Sequence, residues 1–502
     1  MKKIFTLALS LLVGAAAFGQ DEYDQLMVSF ENYEGSARTM AMGNAFTALG
    51  GDIGAISINP AGSGVFRCSE VSFTPSLNFH NSSSDYSGYD TKGSVSRFNM
   101  ANFGAVLTFD TGRASGLLNY NFSATLSRKS NFNSITQAYG TTSGSSYVGS
   151  LAAEFASSGI PYYNIDLDIV SNPFNNTSSY YWPHILMYNA YMFDLDKDKP
   201  SDDAAYIANT YTRDGSGNLV IPGELSQELY RRTRGGIDEI TLNFGGNISD
   251  KLFFGININI EDVDYIVEES ISEYTNNSGL YDTGFEQVTT NYWRETSGVG
   301  INAKLGLIYT PVAGLRLGAT FTTPTYYELT DSWDYTVYSY FDGSNKTYQN
   351  CHRESPSGVY DWPDYLRKSP MRFSLGAAYV FGDKGLISAD YERVDYSSIS
   401  KDFNATNILR LGAEVRVGGT ASLRAGFIHY DAPYDGHFAT NLVSGGLGFN
   451  FGKSFTLDVA YQHMLQTSET FNLYSSYAGA LAPTGCTTRT NGKLSVSLAW
   501  KF

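Results

Sequence analysis

The sequence lacks any hydrophobic run long enough to form a stable membrane-spanning helix, and the apolar run over 4–17 is itself too short. Such a helix needs about 20 apolar residues, and nothing after residue 20 approaches that length. Cysteine is also scarce, with only Cys68, Cys351 and Cys486 in the chain. A disulfide between Cys351 and Cys486 is one interpretation, because both lie in predicted loops on one face; three ordinary small side chains are the other. The sequence gives no support for an anchor in an inner membrane.

Basic residues are in the minority, with 34 Lys and Arg against 50 Asp and Glu and a net charge of -16. Binding to nucleic acid needs a basic surface, so the composition excludes a nucleic-acid partner. The serine nucleophile elbow, the phosphate-binding loop and the metalloprotease motif are all missing. The six histidines are scattered and show no spacing typical of metal ligands. We therefore predict no enzyme, no metal and no cofactor.

The first nineteen residues have the pattern of a signal peptide. Lys2 and Lys3 precede an apolar run over 4–17, and Ala17 and Gly19 supply the small residues that a signal peptidase needs. We expect cleavage before Gln20 and export of the mature chain.

Aromatic residues and glycine are abundant, with 37 Tyr, 31 Phe and 50 Gly, as is typical of strands and of the aromatic girdles of membrane barrels. From about Glu70 onward the chain alternates apolar and polar residues. The final run alternates most regularly, with Leu494, Val496, Leu498, Trp500 and Phe502 on one face. This pattern predicts a half-buried strand. A strand that ends on an aromatic residue is common in outer-membrane barrels, so we expect the barrel-assembly machinery to engage the strand ending at Phe502.

Fourteen alternating runs can be counted, over 70–79, 97–110, 114–127, 236–248, 251–270, 294–310, 313–329, 370–382, 385–396, 406–418, 421–430, 441–452, 454–465 and 491–502. Every second link is a tight turn, whereas the other links are longer, including 128–235, 271–293, 330–369 and 466–490. This sorting is typical of outer-membrane barrels. We predict an all-β protein, a 14-stranded antiparallel transmembrane β-barrel over 70–502, surrounded by the lipid of a bacterial outer membrane. The long loop at about 128–235 would be extracellular and would contain a helix near Val148 to Ala156.

The segment 20–69 that precedes the barrel carries the first resemblance to a known family. It contains Gly35-Ser36-Ala37-Arg38, Gly50-Gly51-Asp52 and Asn59-Pro60-Ala61-Gly62, and further glycine and turn motifs follow in order along the barrel, from Ile248-Ser249-Asp250 to Asp458 and Tyr461. Together they resemble the FadL/TodX family of outer-membrane transporters. The resemblance implies a fourteen-stranded barrel with an N-terminal plug, or hatch, that moves hydrophobic molecules inward. It also implies that Asn59, Pro60, Ala61 and Gly62 form the hatch motif; an ordinary turn is the alternative interpretation.

Two groups of residues are candidates for ligand binding. The charged strand residues Asp390, Glu392, Arg410, Glu414, Arg416, Arg424 and Asp458 should face the lumen. Arg410 or Arg424 could bind a ligand carboxylate, or all of these charges could pair with one another. The second group is the apolar loop stretch of Trp182, Ile185, Leu186, Met187, Met192 and Phe193, which could form a groove that collects hydrophobic ligands or could simply pack on itself.

The preferred function is therefore passive uptake of hydrophobic small molecules, either long-chain fatty acids or aromatic hydrocarbons, without ATP or a cofactor. The alternatives are a binding or shuttle partner for secreted proteins, a haem (hemin) receptor that uses His or Tyr, and an outer-membrane enzyme.

Overall fold

The computed structural model describes residues 22–199, 201–342, 344–349, 360–434, 439–452, 454–477 and 479–502. The predicted signal peptide lies outside these residues, and so does Cys351. The signal peptide and the disulfide between Cys351 and Cys486 therefore remain predictions. Fourteen strands pair antiparallel, each with the next, and the last strand pairs with the first, with Val71 opposite Trp500. The predicted 14-stranded antiparallel barrel is confirmed.

The barrel strands are numbered in chain order, and four of them consist of two pieces separated by a short break. They are β1 (Glu70–Tyr86), β2 (Tyr89–Asp110), β3 (Leu117–Asn131 and Ser134–Thr142), β4 (Leu225–Ile248), β5 (Leu252–Tyr274), β6 (Phe285–Tyr309), β7 (Leu315–Thr322 and Tyr326–Phe341), β8 (Tyr365–Lys368 and Arg372–Val380), β9 (Gly385–Asp395), β10 (Ala405–Val417), β11 (Ala421–Tyr430), β12 (Thr440–Phe451), β13 (Phe455–Met464 and Thr467–Asn472) and β14 (Thr484–Lys501). Short strands Ser344–Gln349 and Tyr360–Asp361 pair with β7, and two small hairpins join Phe193–Leu195 to Tyr206–Ala208 and Thr212–Arg213 to Leu219–Val220.

The helices lie before β1 and between β3 and β4. They are α1 (Glu22–Ser29), α2 (Ala37–Ala41), α3 (Tyr147–Ser157) and α4 (Trp182–Asn189). Single 3₁₀ turns occupy Ile53–Ala55, Pro60–Val65, Tyr162–Asn164, Pro173–Asn176, Ser179–Tyr181, Ser278–Leu280 and Tyr396–Ser398. The helix predicted near 148–156 corresponds to α3. None of the helices in the described part of the chain has the length and apolar character needed to cross a membrane.

Alternation along the strands gives the barrel two different faces. On β5, Ile256, Ile258 and Ile260 are exposed on the outer face, while Asn257 and Asn259 are buried in the lumen. Exposed apolar side chains recur around the barrel, at Phe73, Leu107, Phe122, Leu242, Leu305, Leu317, Leu375, Ile387, Leu411, Leu423, Leu447, Tyr461 and Leu498. This outer belt is the surface expected to face lipid. The lumen, by contrast, is lined with amides, hydroxyls and charges.

The strands extend further than predicted on the long-loop side of the barrel. β1 runs to Tyr86 and turns at Ser87-Gly88 directly into β2, and β4 begins at Leu225. The part of the predicted loop 128–235 that lies outside barrel strands is therefore 143–224. The predicted strands are too short because apolar and polar residues alternate only where one face of a strand meets lipid. These extensions lie above the lipid belt.

Two prolines interrupt the wall between β7 and β8. The predicted run 313–329 breaks at Thr323-Pro324-Thr325, opposite a break at Ser369-Pro370-Met371 on β8. Proline has no N–H to donate to the ladder. Thr325 and Ser369 bridge the gap, since the Thr325 N–H donates to the Ser369 Oγ at 2.9 Å and the Ser369 N–H to the Thr325 carbonyl at 3.0 Å.

The segment 22–69 lies inside the barrel, because it contacts inward-facing residues on opposite sides of the wall. Its side-chain partners include Ser76 on β1, Thr241 on β4, Asp390 on β9, Glu414 on β10, Ser444 on β12 and Ser497 on β14. It also contacts the backbone carbonyl of Leu307 on β6. It runs from α1, near Tyr396 at the long-loop end, to Phe66, whose carbonyl accepts from Asn119 near the short-turn end. The residues 143–224, here called the lid, cover the long-loop end of the barrel.

Candidate functional site

The Asn59-Pro60-Ala61-Gly62 motif begins a 3₁₀ turn that lies against β6 and the neighbouring strands. The Asn59 Oδ1 caps this turn by accepting from the Ala61 N–H at 3.0 Å. Its Nδ2 donates to the carbonyl of Thr47 at 2.5 Å and to that of Leu307 on β6 at 3.3 Å. The Pro60 carbonyl accepts from Asn243 on β4 at 3.1 Å. The motif therefore links the N-terminal segment to itself and to the wall; its role as a hatch stays a prediction.

Close backbone contact between this segment and the wall depends on glycine. A Cβ added at Gly318 on β7 would lie 2.0 Å from the Thr47 carbonyl oxygen and 2.5 Å from its carbon. That same oxygen accepts the hydrogen bond from Asn59. The position tolerates no side chain because the neighbouring atoms belong to backbone and cannot rotate away.

Gly318→Ala should therefore lift the N-terminal segment off the wall. Overpacking of this kind costs about 1–3 kcal/mol, which corresponds to roughly tenfold faster amide exchange or more. Hydrogen exchange followed by mass spectrometry should show this increase over residues 44–62. Gly445→Ala on β12 is the matched control, because its Cβ would meet a single atom, at 3.7 Å. Equal exchange in both variants would contradict the role given to Gly318.

The predicted charged residues of the wall are brought together in two paired groups. Glu392 accepts from Arg372 at 2.8 Å and from Arg410 at 2.7 Å. Glu414 accepts from Arg424 at 2.7 Å, and Arg424 also reaches Asp458 at 2.6 Å. The structure thus places Arg410 and Arg424 in the mutually paired network. Arg416 differs from the others, because half of its side chain (49%) is exposed. Binding of a ligand carboxylate by either arginine stays a prediction.

Charges of the N-terminal segment complete this network, and the sequence analysis did not single out most of them. Glu31 accepts from Lys129 on β3 and from Arg372 on β8, both at 3.0 Å. Glu34 pairs with Lys493 on β14 at 3.0 Å. Arg38 donates to Glu414 on β10 at 3.0 Å. The segment is therefore held by ion pairs on several sides of the lumen. The sequence feature that could have identified these residues is the close spacing of three charged side chains in a stretch that has few others.

The apolar loop stretch lies in the largest apolar core of the described residues, at the mouth of the barrel. Trp182, Ile185, Leu186, Met187, Met192 and Phe193 are each at most 7% exposed. They pack with α3, with inward-facing residues of the upper strands, including Leu229, Val288, Trp333, Tyr335 and Val337, and with Tyr474 of the loop between β13 and β14. These residues form a closed core rather than an open groove in this structure, so direct ligand binding by them stays a prediction.

A buried carboxylate joins the lid to the barrel. Glu273, near the upper end of β5 and above the lipid belt, accepts from the N–H groups of Tyr147 at 2.8 Å and Val148 at 3.3 Å, at the start of α3. It also accepts from Ser146 Oγ and Gln227 Nε2, each at 2.6 Å. Burial raises the pKa of Glu273, while the four donors oppose that shift. Sequence patterns gave no signal for this residue.

Two further features concern other kinds of site. A cleft of about 340 Å³ at the rim is lined by Tyr274, Thr275, Asn276, Ser278, Glu286, Gln287 and Tyr340, and these polar side chains are unsuited to a hydrophobic compound. Within the described ranges, no group of three His, Cys, Asp or Glu residues could hold a metal ion.

These observations define a transmembrane β-barrel whose polar lumen is filled by its own N-terminal segment and whose mouth is closed by an apolar lid. No protein-family model matches the sequence, and no curated protein matches it. Among solved structures, the toluene transporter TodX of P. putida matches with a TM-score of 0.54 at 13% identity, covering 94% of this chain and 99% of that chain. A FadL homologue of Pseudomonas aeruginosa matches with a TM-score of 0.53 at 11% identity, covering 94% and 100%. The predicted resemblance to the FadL/TodX family is thereby confirmed as a shared fold.

Proposed function

We propose that this protein is a channel of the bacterial outer membrane for passive uptake of hydrophobic small molecules, either long-chain fatty acids or monoaromatic hydrocarbons. The observation that carries the proposal is the pairing of a large apolar core at the mouth with a closed, charge-paired lumen below it. A hydrophobic solute is repelled by the polar outer leaflet, and an apolar surface at the mouth lowers that barrier. The solved barrel of the same fold named as a toluene transporter supports the same class of cargo.

The remaining parts have roles that follow from their contacts. The lid receives the ligand, and the N-terminal segment with Asn59, Pro60, Ala61 and Gly62 acts as a hatch that keeps water-soluble compounds out. The ion pairs of Glu31, Glu34 and Arg38 hold the hatch in place. Uptake down a concentration gradient needs no ATP, no cofactor and no catalytic residue. Outer-membrane lipid surrounds the apolar belt, and the barrel-assembly machinery engages the strand ending at Phe502.

Uptake in whole cells tests the proposal. The chain is produced in a host without its own hydrophobic-compound channel, and entry of labelled oleate and labelled toluene is followed. We expect at least one compound to enter several-fold faster than in cells with an empty vector, and native mass spectrometry of the purified protein to show that compound bound. Entry at the background rate together with recovery of a secreted protein, rather than a small molecule, would replace this function with that of a shuttle partner.

A further inference from the structure

Helix α4 of the lid has no side that is exposed to water. Trp182, Pro183, His184, Ile185, Leu186, Met187 and Asn189 are all buried, and Tyr188 is half-buried. A helix on the surface of a globular protein normally keeps a polar side toward water, whereas a helix that is apolar all round belongs in a core. This helix nevertheless belongs to a loop between two barrel strands. Its position is therefore that of an insert in the mouth of the barrel.

The helix packs against the inner face of β7, where the Tyr335 hydroxyl also lies 3.3 Å from the Tyr147 hydroxyl of α3. Trp333, Tyr335 and Val337 alternate along the strand with outward residues and are almost completely buried; these three residues are called the β7 wall. At one end of α4 the Trp182 ring lies 5.7 Å from the Trp333 ring, centroid to centroid. Beyond the other end, the Ser339 Oγ donates to the Ala190 carbonyl at 2.6 Å. The helix therefore occupies the place where a ligand would meet the strand.

The two lid helices are attached in different ways. α3 is tied to the barrel through polar groups, namely its first N–H groups on Glu273 and Ser150 on the carbonyl of Ser475. The side chains of α4 bond within the lid, from Trp182 to the carbonyls of Phe174 and Thr177 and from Asn189 to those of Ile165 and Ile185. The His184 Nε2 of α4 also lies 3.4 Å from a carboxylate oxygen of Glu154 on α3. Against the β7 wall, α4 presents apolar groups. Apolar contacts are non-directional, so another apolar molecule can replace them, whereas the bonds of α3 require their specific partners.

We propose that the β7 wall is the first binding surface for the hydrophobic cargo and that α4 is a built-in occupant that the cargo displaces. This inference rests on the proposed function. The ligand class is a compound with an aromatic ring, which takes the place of the Trp182 indole against Trp333. α3 stays in place on Glu273 while α4 moves, so the lid opens on one side and remains attached to the barrel. A ligand that binds the displaced state shifts the population toward it.

Two tryptophan substitutions are expected to change the rate of toluene uptake in opposite directions. Trp182→Ala removes part of the occupant and should raise the rate of labelled toluene uptake at limiting concentration about threefold or more. Trp333→Ala removes part of the wall and should lower it by a similar factor. If both tryptophans served only to stabilise the lid, both variants would change uptake in the same direction, and that result would overturn the inference.

A reversible cross-link tests whether α4 has to move. In a chain with Cys68, Cys351 and Cys486 replaced by serine, Ala190→Cys and Ser339→Cys are combined, and each is also made alone. Oxidation of the double variant should reduce toluene uptake to the empty-vector rate, and dithiothreitol should restore it, while oxidation should not change the uptake rate of either single variant. Equal uptake by the oxidised and reduced double variant would rule out displacement. Failure of the parent protein itself to take up toluene or oleate would instead refute the proposed function.

Discussion

Glu273→Ala is expected to free the lid from the barrel. The substitution leaves the N–H groups of Tyr147 and Val148 and the donors of Ser146 and Gln227 without their acceptor in a buried site. Each buried donor without a partner costs about 1–3 kcal/mol, and water entering the new space recovers part of that loss. A net loss of about 3 kcal/mol in local stability corresponds to roughly 100-fold faster exchange. Hydrogen exchange over Tyr147–Ser157 measures it directly.

A neighbouring carboxylate on the same side of the barrel provides the control. Glu228 on β4 is exposed and accepts a hydrogen bond from the Tyr274 hydroxyl at 3.0 Å. Glu228→Ala should leave exchange in α3 unchanged, because water solvates the groups that lose their partner. If Glu273→Ala also left α3 protected, the lid would be held by its apolar core alone, and the contrast drawn between α3 and α4 would not stand.

The sequence predicts well the part of the barrel that lies within the lipid belt, because each strand there has lipid on one side and a polar lumen on the other. Ile256 to Glu261 on β5 alternate without exception for this reason. Above the belt that constraint disappears. On β4 the inward residues Gln227, Leu229 and Arg231 mix amide, apolar and basic side chains, so no pattern marks the strand. The break at Pro324 was also missed, because the apolar pattern continues on both sides of it.

The candidate site was predictable only where its interactions are local. Asn59 caps the turn that follows it, so its residue type and the adjacent proline identify it in the sequence. Glu31, in contrast, meets Lys129 and Arg372, residues that become neighbours only when the barrel closes. Glu273 meets the start of a helix from another loop. Contacts of this kind depend on strand register, which residue types alone do not specify.

Glu392→Ala should strongly destabilise the barrel. Glu392 is 6% exposed and accepts from Arg372 and Arg410 across two neighbouring strands. Removing it leaves two guanidinium groups in the lumen without this acceptor, and breaking a buried pair in this way costs about 3–5 kcal/mol. The loss should appear as a lower temperature for the shift from folded to unfolded mobility in electrophoresis, and as a lower urea midpoint.

The burial of Glu392, rather than its pairing with arginine, should determine how much stability Glu392→Ala loses. The chain offers a direct comparison. Glu268 on β5 also bridges two arginines, Arg234 at 2.7 Å and Arg232 at 3.9 Å, but its side chain is 32% exposed. Water and salt screen this pair, so Glu268→Ala should cost less than about 1 kcal/mol. Glu392→Gln should recover part of the loss, since the amide oxygen still accepts one hydrogen bond. Equal destabilisation by Glu268→Ala and Glu392→Ala would mean that the lumen is well hydrated at Glu392, and a hydrated lumen would also weaken the case for a hatch that keeps water-soluble compounds out.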